Sequence, residues 1–308
     1  MNTTKKIYKL DASAASKSSC GRRLYNTVVL GYHAPLNNND MEFGSAFHLF
    51  IKVMKLTGGD YAQAIKAATE RYSVPMNVKR QKQYMDTTFL LKCCMDYWQK
   101  FAEKDDFVTQ CSPESGKALV ELKFEWPFYQ DDELEIILAG TIDDICKHKH
   151  GTWAIRDYKT TSAGDIDEYL RGYRMSPQLL FYRYVMGRYA WAYPDSIFAE
   201  LCKRNCACFI EGIFIRGKDK PLEVKRSDMF QFTEADLNEF EILLTRKVER
   251  LVEMIKHELP LREGLLNGAC DAKFRCPYFD LCAANDNTIR DHLLRRNFII
   301  KPYDPATF

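Results

Sequence analysis

The chain has 308 residues, 46% of them hydrophobic and 28% charged, which is enough to bury a sizeable core in one elaborated domain or two small ones. A net charge of +2 does not indicate a polyanion partner, so any nucleic-acid contact must come from a local basic patch. No apolar run reaches the roughly 18 residues of a membrane helix, so we expect no membrane contact and a cytoplasmic protein, bacterial or phage-encoded.

The first half of the chain is predicted to be mostly helical, because apolar residues recur at every third or fourth position. The predicted helices span 41–56, 61–72 and 78–104. From Lys117 onwards the period changes to two, which is typical of strands. The three predicted strands of this central meander span 118–129, 134–149 and 151–161.

A further helix is predicted at 176–190, followed by strand-like segments at 208–217 and 222–232. Thr233 and Asp236 then resemble a capping box, in which two orphan backbone groups at a helix start are satisfied by side chains. An apolar stripe continues from there for more than five turns. The pattern therefore predicts a long amphipathic helix after the last strand.

The tail at 268–308 is predicted to be a Cys-rich loop followed by a short basic segment. Helices that flank a central mixed sheet give an α/β (α+β) fold class. We expect one domain over 1–308. Its predicted parts are a helical N-terminal part at 1–115, a core at 116–232 and a C-terminal part at 233–308.

Asp157 and Lys159 end the third strand of the meander. Because side chains alternate across a strand, these two share one face, at the end of an apolar base. Asp143 lies on the preceding strand. The two aspartates face the same way only if the two residue numbers of each cross-strand pair add up to an even number. A three-residue loop at 148–150, with Gly151 at positive φ, would give such a register.

Two carboxylates about 4 Å apart repel by roughly 4 kcal/mol at an effective dielectric near 20, so their coexistence implies a compensating cation. Mg²⁺ or Mn²⁺ suits such oxygen ligands. The ion would polarise a phosphate and activate a water, while Lys159 stabilises developing negative charge. The alternative for Asp157, Tyr158 and Lys159 taken alone is the polar end of a strand with a surface ion pair.

Two predicted helices carry further candidate residues. Gln178 and Tyr182 lie four residues apart, hence on one helix face, where they could line the site. His48 follows Gly44 by one turn, and the glycine allows close approach of another backbone or a nucleic-acid strand. Taken singly, the pair would be ordinary helix-surface residues and His48 a satisfied structural histidine.

The ordered set GSAFH, GTIDDI, DYKT and QLLFY resembles the RecB-type branch of the PD-(D/E)XK nuclease superfamily, from Cys20 to Cys282. The resemblance implies a restriction-endonuclease-like sheet and metal-dependent hydrolysis of DNA. The implied metal ligands are His48, Asp143 and Asp157. The implied catalytic residues are Asp143, Asp157, Lys159, Gln178 and Tyr182. Glu121 matches an acidic residue that often precedes the meander in such enzymes, and a surface glutamate is the alternative.

Eleven cysteines in a chain without a secretion signal argue against a disulfide framework. Cys270, Cys276 and Cys282 recur every six residues, so they would point about 240° apart around a helix and cannot form one helical stripe. Pro277 indicates an irregular loop, in which three thiolates can converge on a metal. Cys20, near the other end of the chain, is the candidate fourth ligand.

This arrangement, with one cysteine near the start of the chain and three near its end, resembles the iron–sulfur site that links the two ends of the domain in several RecB-type nucleases. Among them are CRISPR-adaptation nucleases and recombination helicase-nuclease subunits. The resemblance implies a structural and DNA-binding [4Fe–4S] cluster. Its four ligands would be Cys20, Cys270, Cys276 and Cys282. In this chain five residues separate successive cysteines of the trio, where the first gap in those relatives is commonly two. Zinc on the same thiolates and four buried free thiols are the alternatives.

The remaining cysteines and the basic clusters carry less specific patterns. Cys206 and Cys208 alternate on a strand and are predicted to lie in the core, and basic clusters such as Lys79 to Lys82 are usually solvated surfaces. Arg171 and Arg174 are the predicted DNA contacts, because a strand that enters the site needs local positive potential in a near-neutral protein.

The sequence thus predicts a Mg²⁺- or Mn²⁺-dependent DNA nuclease, an exonuclease on single strands or DNA ends. We expect it to work in recombination, repair or phage DNA processing, with a helicase or recombination protein as a candidate partner. One alternative is a non-catalytic DNA-binding module held together by a metal cluster. The presence of Asp143, Asp157 and Lys159 argues against this alternative. A small-molecule metalloenzyme is another alternative, which would need a closed apolar pocket.

Overall fold

The computed structural model describes residues 5–17, 19–34, 39–72, 85–217, 220–270 and 275–305. Its helices are α1 (Ala12–Lys17), α2 (Gly21–Leu24), α3 (Asn39–Leu56), α4 (Tyr61–Arg71), α5 (Thr87–Lys100), α6 (Ile166–Arg171), α7 (Pro177–Ala192), α8 (Ile197–Lys203), α9 (Glu234–Lys256), α10 (Phe279–Ala283) and α11 (Asn287–Asn297). Its strands are β1 (Lys6–Leu10), β2 (Tyr32–His33), β3 (Phe107–Thr109), β4 (Val120–Gln130), β5 (Leu134–His148), β6 (Trp153–Thr161), β7 (Ala207–Phe214), β8 (Glu223–Arg226) and β9 (Ile299–Ile300).

Seven of these strands form one mixed sheet around the long strand β5. Strands β1 and β6 pair with β5, and β7 and β8 follow beyond β6. Strands β3 and β4 also pair with β5. The β1–β5 and β6–β7 pairs are parallel and the others antiparallel, which confirms the predicted mixed sheet. Strands β2 and β9 make a separate antiparallel pair that joins the two ends of the chain.

Helices cover both faces of the sheet. On one face, α7 and α9 contribute buried residues such as Phe181, Leu244 and Leu251 to a large core. On the other face, α3, α4 and α5 form a second core whose members include Phe47 and the strand residue Tyr158. Every residue of β7 is buried, as expected for a strand covered on both faces. The predicted α/β class with helices around a central sheet is therefore confirmed.

Short-range patterns predict ten of the twenty elements in the described ranges, among them the helices α3, α5, α7 and α9 and the strands β4 to β7. Helix α9 begins with the predicted capping box, since Asp236 N donates to Thr233 Oγ1 and the Asp236 carboxylate accepts from Thr233 N. The long helix expected at 78–104 is described from Thr87, where Asp86 caps α5, and the predicted basic cluster at 79–82 lies outside the described residues.

The tail differs from its predicted loop and basic segment, because α11 forms there. This helix has no buried residue, and so it carries no apolar stripe that would reveal it in the sequence. Asp286 caps it by accepting from Thr288 N at 2.7 Å and Ile289 N at 3.1 Å. Strand β1 also escapes prediction, because its pairing partner lies more than 120 residues along the chain.

Two helix glycines give a matched test of how closely α3 approaches the sheet. A Cβ at Gly44 would lie 2.7 Å from Thr160 Oγ1 of β6, whereas a Cβ at Gly187 of α7 would meet nothing within 4 Å. We expect Gly187→Ala to raise the free energy of unfolding by about 0.5–1 kcal/mol. Gly44→Ala should be less stable than Gly187→Ala by about 1–3 kcal/mol, as measured by urea unfolding. Equal stabilities would contradict the close approach.

Candidate active site

The β5–β6 hairpin brings two aspartates opposite each other. The pairs run from Lys147–Trp153 to Asp144–Arg156, and the numbers of each pair add up to an even number as predicted. Continuing this register places Asp143 opposite Asp157, just past the last pair. The loop lies one residue later than predicted, because His148 N donates to Thr152 O at 2.8 Å, and Gly151 has the predicted positive φ of 100°.

A notch in the sheet opens at Asp143. Strand β1 pairs with residues 134–138 of β5 and β6 with residues 144–147, while β4 pairs with residues 135–144 and β3 with residues 146–148. Since β4 and β3 occupy one edge of β5, β1 and β6 share the other edge. On that edge, residues 139–143 have no strand partner in the described part of the chain. The backbone around Asp143 is therefore open between two strand ends.

Three metal-ligand side chains converge at this notch. Donor atoms of His48, Glu121 and Asp143 all lie within 4.8 Å of one another, and His48 Nδ1 is 3.6 Å from Asp143 Oδ2. Glu121 lies opposite Asp143 in the β4–β5 register, between the pairs Val120–Asp144 and Leu122–Ile142. The three elements α3, β4 and β5 thus each contribute one donor.

The backbone of Glu121 is strained. Its φ of 51° lies in the left-handed region, which is uncommon for residues other than glycine. Such a conformation costs on the order of 1–3 kcal/mol and concentrates at functional sites. The strain turns Glu121 out of the regular β4 ladder, beside Asp143. No pattern in the sequence marks this conformation, and so sequence reasoning left Glu121 open between a ligand and a surface residue.

Asp157 is held from two sides by the other candidate residues. Lys159 Nζ forms an ion pair with its Oδ2, and Gln178 Nε2 donates to its Oδ1 at 2.9 Å. The same Gln178 Nε2 lies 2.6 Å from the Tyr182 hydroxyl oxygen. Asp157 is fully buried, whereas the Lys159 side chain is 24% exposed and faces the notch. The structure therefore brings Asp157, Lys159, Gln178 and Tyr182 together next to the three-donor cluster.

The sequence model of the PD-(D/E)XK nuclease superfamily matches residues 13–283, which is most of the chain. The chain belongs to the PD-(D/E)XK nuclease superfamily. No curated protein matches it. A solved structure described as "Crystal structure of SSO0001" shares 10% identity over 78% of this chain and 75% of that one, with a TM-score of 0.30. No helix in the described ranges is long and apolar enough to cross a membrane.

PD-(D/E)XK nucleases use divalent metals, and the acids of this site fit such an ion. Burial raises the pKa of Asp157 to about 6 and, with the nearby Asp143 carboxylate, that of Glu121 to about 7. Burial also raises the pKa of Asp143. Burial disfavours the charged forms of these three carboxyl groups, and Lys159 places one positive charge beside them. A divalent ion would neutralise the negative charge that remains.

The histidine and the lysine are held in the forms that a metal site needs. Burial and the positive charge of Lys159 lower the pKa of His48 to about 4, so the ring is neutral near pH 7 and a ring nitrogen can act as a ligand. Burial opposes the charged form of Lys159, but Asp157 and Asp143 outweigh it and raise the pKa of its ammonium. The lysine therefore remains a cation beside the acids.

The predicted DNA contacts lie outside this cluster. Arg171 and Arg174 are exposed, and in the described part of the chain neither forms an ion pair with Asp143 or Asp157. Arg171 Nε donates to Asp167 O at 3.3 Å. Arg174 lines a separate cavity of about 560 Å³ between the start of α7, residues 228–232 and the N-terminal part of α9.

The four predicted cluster cysteines lie where the two ends of the chain meet. The segment after Cys20 is hydrogen-bonded to the region before Cys270, with Arg22 N donating to Leu261 O at 2.9 Å and Gly21 N to Glu263 Oε2 at 2.8 Å. A Cβ at Gly264 would lie 2.8 Å from Cys270 Sγ and 3.4 Å from Cys20 Cβ. Among the described residues, no three of these thiols have sulfur atoms within 4.8 Å of one another.

Cys282 also belongs to this group. Its pKa is raised by burial and further by the nearby Cys276 and Cys20, which places these thiols in one electrostatic neighbourhood. Of the other cysteines, Cys206 and Cys208 are buried in the core as predicted. Cys111 is exposed.

The raised pKa of Glu121 predicts a pH effect on stability without metal. The unfolded glutamate titrates near 4.5 and the folded one near 7, so the folded protein holds a proton that the unfolded chain releases in this window. In EDTA, wild-type stability should therefore fall relative to Glu121→Gln as the pH rises from 4.5 to 7. Urea unfolding at several pH values measures the difference, which Mn²⁺ should reduce. Parallel stability curves would contradict the assignment.

Proposed function

We propose that this protein is a Mg²⁺- or Mn²⁺-dependent deoxyribonuclease of the RecB-type branch, an exonuclease that acts on single strands or DNA ends. The superfamily implies a DNA substrate and metal-dependent cleavage. The observation that carries the finer proposal is the placement of Lys159 beside Asp157, which lies opposite Asp143, in a notch of the sheet that also holds His48. These residues reproduce the ordered motifs on which the resemblance to the branch rests.

His48, Asp143 and Asp157 are the proposed metal ligands, and Glu121 joins them because its carboxylate lies with His48 and Asp143 in the donor cluster, beside which Asp157 stands. A divalent ion bound there supplies Lewis-acid polarisation of the scissile phosphate and lowers the pKa of a water. The side chains of His48 and Asp143 are 24% and 13% exposed, so the cluster is reachable from solvent. A phosphate backbone can thus approach these ligands without unfolding of the sheet.

Lys159 is the proposed catalytic lysine. Its ammonium stays charged between the two aspartates and, being partly exposed, can donate hydrogen bonds to phosphate oxygens as negative charge develops on them. The ion pair with Asp157 fixes where this charge lies. A pre-positioned charge needs no reorganisation during the reaction, which is the main source of such stabilisation.

Gln178 and Tyr182 are proposed to orient Asp157. The Gln178 amide occupies Asp157 Oδ1, so the other carboxylate oxygen is directed to Lys159 and the notch. The Tyr182 hydroxyl, which is buried, fixes the rotation of that amide. Arg171 and Arg174 remain the proposed phosphate contacts of a strand outside the cluster, where their exposure leaves both guanidinium groups accessible.

Cys20, Cys270, Cys276 and Cys282 are the proposed ligands of a [4Fe–4S] cluster that ties the chain ends together. Zinc on the same four thiolates is the alternative. We further propose that the enzyme acts in recombination, repair or phage DNA processing, with a helicase or recombination partner that supplies DNA ends.

Substitution of Lys159 tests the nuclease. Lys159→Ala should lose cleavage by about 10²- to 10³-fold, because a charge aimed at the transition state is removed. The matched control is Lys149→Ala, since Lys149 lies in the hairpin loop and pairs with Asp106 on the surface. The measurement is the rate of degradation of end-labelled single- and double-stranded DNA with Mn²⁺, with a circular single strand alongside. An exonuclease leaves the circle intact.

Equal degradation by the wild type and Lys159→Ala would show that a contaminant cuts the DNA. Cutting of the circle at the rate of the linear strand would replace the exonuclease proposal with an endonuclease. DNA binding by a wild type that cuts neither substrate would instead favour a binding module.

The cysteine proposal predicts a coloured protein. Purified without oxygen, the wild type should show broad visible absorption that bleaches on reduction, and Cys276→Ser should lose it. Cys111→Ser is the control, because Cys111 is exposed and outside the group. A colourless wild type with one bound zinc per chain would assign zinc to the site. A colourless protein without bound metal would show that the four cysteines are free thiols.

A further inference from the structure

Asp144, the neighbour of the proposed ligand Asp143, points away from the notch and is fully buried. Its Oδ2 accepts from Lys55 Nζ at 2.6 Å, from Arg156 Nε at 2.8 Å and from the Tyr158 hydroxyl at 3.1 Å. Arg156 is itself 1% exposed and Lys55 has a 9% exposed side chain. One carboxylate oxygen therefore collects two cations and a hydroxyl in the interior.

These three donors come from the elements that hold the proposed active-site residues. Lys55 lies on α3 seven residues after His48, which places both on one helix face. Arg156 and Tyr158 flank Asp157 on β6, and Asp144 follows Asp143 on β5. Asp144 thus links α3, β5 and β6 directly beneath the cluster.

Tyr158 connects the two faces of the sheet. Its hydroxyl donates to Asp144 on the buried side, and its backbone N–H donates to Asp143 Oδ2 at 2.9 Å on the notch side. A shift of β6 relative to β5 would break both bonds. The Asp144–Arg156 pair is also the last cross-strand pair before the strands diverge. The position at which the notch opens therefore depends on these contacts.

The network is larger than stability requires. Arg156 also pairs with Asp105 and Glu211, and Arg226 pairs with the same two acids. Counting Asp144 and Lys55, three acids and two bases are held in the interior, and Arg226, whose side chain is 34% exposed, pairs with two of these acids from the edge. Desolvation of such groups offsets most of their attraction, and well-packed apolar side chains would stabilise the fold as well. The directional hydrogen bonds from α3 and β6 to one carboxylate of β5 also constrain the relative position of these three elements.

We propose that Asp144, together with Lys55, Arg156 and Tyr158, positions the proposed metal ligands and so sets the affinity of the site for a divalent ion. This inference rests on the proposed function, because it assigns the notch as the metal site. The four residues touch no substrate and act through His48, Asp143 and Asp157. Groups that orient metal ligands commonly change metal affinity by 10- to 100-fold when removed.

Lys55→Met tests the proposal. It removes the α3 link to Asp144 and leaves Asp144 paired with Arg156, so the sheet retains its own ion pair. We expect the dissociation constant for Mn²⁺, measured by calorimetry on metal-free protein, to rise by about 10-fold or more. Lys55→Arg, which keeps the cation, should recover most of the affinity. Saturating Mn²⁺ should restore kcat in Lys55→Met.

Arg71→Met is the matched control. Arg71 lies on α4 and pairs with Glu42 of α3, the helix that carries Lys55, and it does not touch Asp144. The Mn²⁺ affinity of this variant should equal that of the wild type. If Lys55→Met does not fold, Tyr158→Phe removes only the hydroxyl and should weaken Mn²⁺ binding about fivefold. Wild-type affinity in whichever of these two variants folds would overturn the proposal.

The two proposals fail in different ways. A wild type that binds Mn²⁺ but cuts no DNA would refute the nuclease and leave the positioning role to be decided by the measured dissociation constants. A wild type that binds no Mn²⁺ would refute both.

Discussion

The site depends on the point at which β5 and β6 separate. Up to the Asp144–Arg156 pair the two strands share a regular antiparallel ladder, and beyond it they diverge, because β1 occupies the same edge of β5 further along. Asp143 and Asp157 stand at the divergence. Backbone pairing on one side of them fixes their mutual position, and the open edge on the other side gives access. A continuous ladder would fix them without access.

The buried carboxyl groups of the site are stable only where nearby positive charge compensates their negative charge. The raised pKa values of Glu121 and Asp157 show that burial disfavours their charged forms. On the opposite face, Asp144 has a lowered pKa despite its burial, because Lys55 and Arg156 lie beside it. The sheet thus separates a face on which buried carboxyl groups lack compensating positive charge from a face on which Lys55 and Arg156 compensate Asp144. Adjacent residues of one strand, Asp143 and Asp144, face these two environments.

Features with short-range causes could be predicted from the sequence. The alternation of β6, the four-residue spacing of Gln178 and Tyr182 and the capping box of α9 each involve residues a few positions apart. The even register followed from loop length alone. The family resemblance gathered the same residues into one site, where the structure also places Lys159 and Gln178 in contact with Asp157.

What escaped prediction depends on pairing between distant segments. Glu121 reaches Asp143 only through the register of β4 on β5 and a left-handed backbone conformation, and neither leaves a mark in the local pattern. Asp144 directly follows Asp143 in the sequence, yet the alternation of β5 turns it towards Lys55, a residue 89 positions away. Long-range register, rather than propensity, decides such contacts.

The order of the residues along the chain separates the two sites in time. All proposed active-site residues precede position 183, whereas the cysteine group and the β2–β9 pair need residues beyond 269. At ribosomal rates of about 5–20 residues per second, the roughly 100 residues from Tyr182 to Cys282 take about 5–20 s to synthesise. The β5–β6 hairpin, with its proposed active-site residues, therefore emerges from the ribosome before Cys270, Cys276 and Cys282 are synthesised.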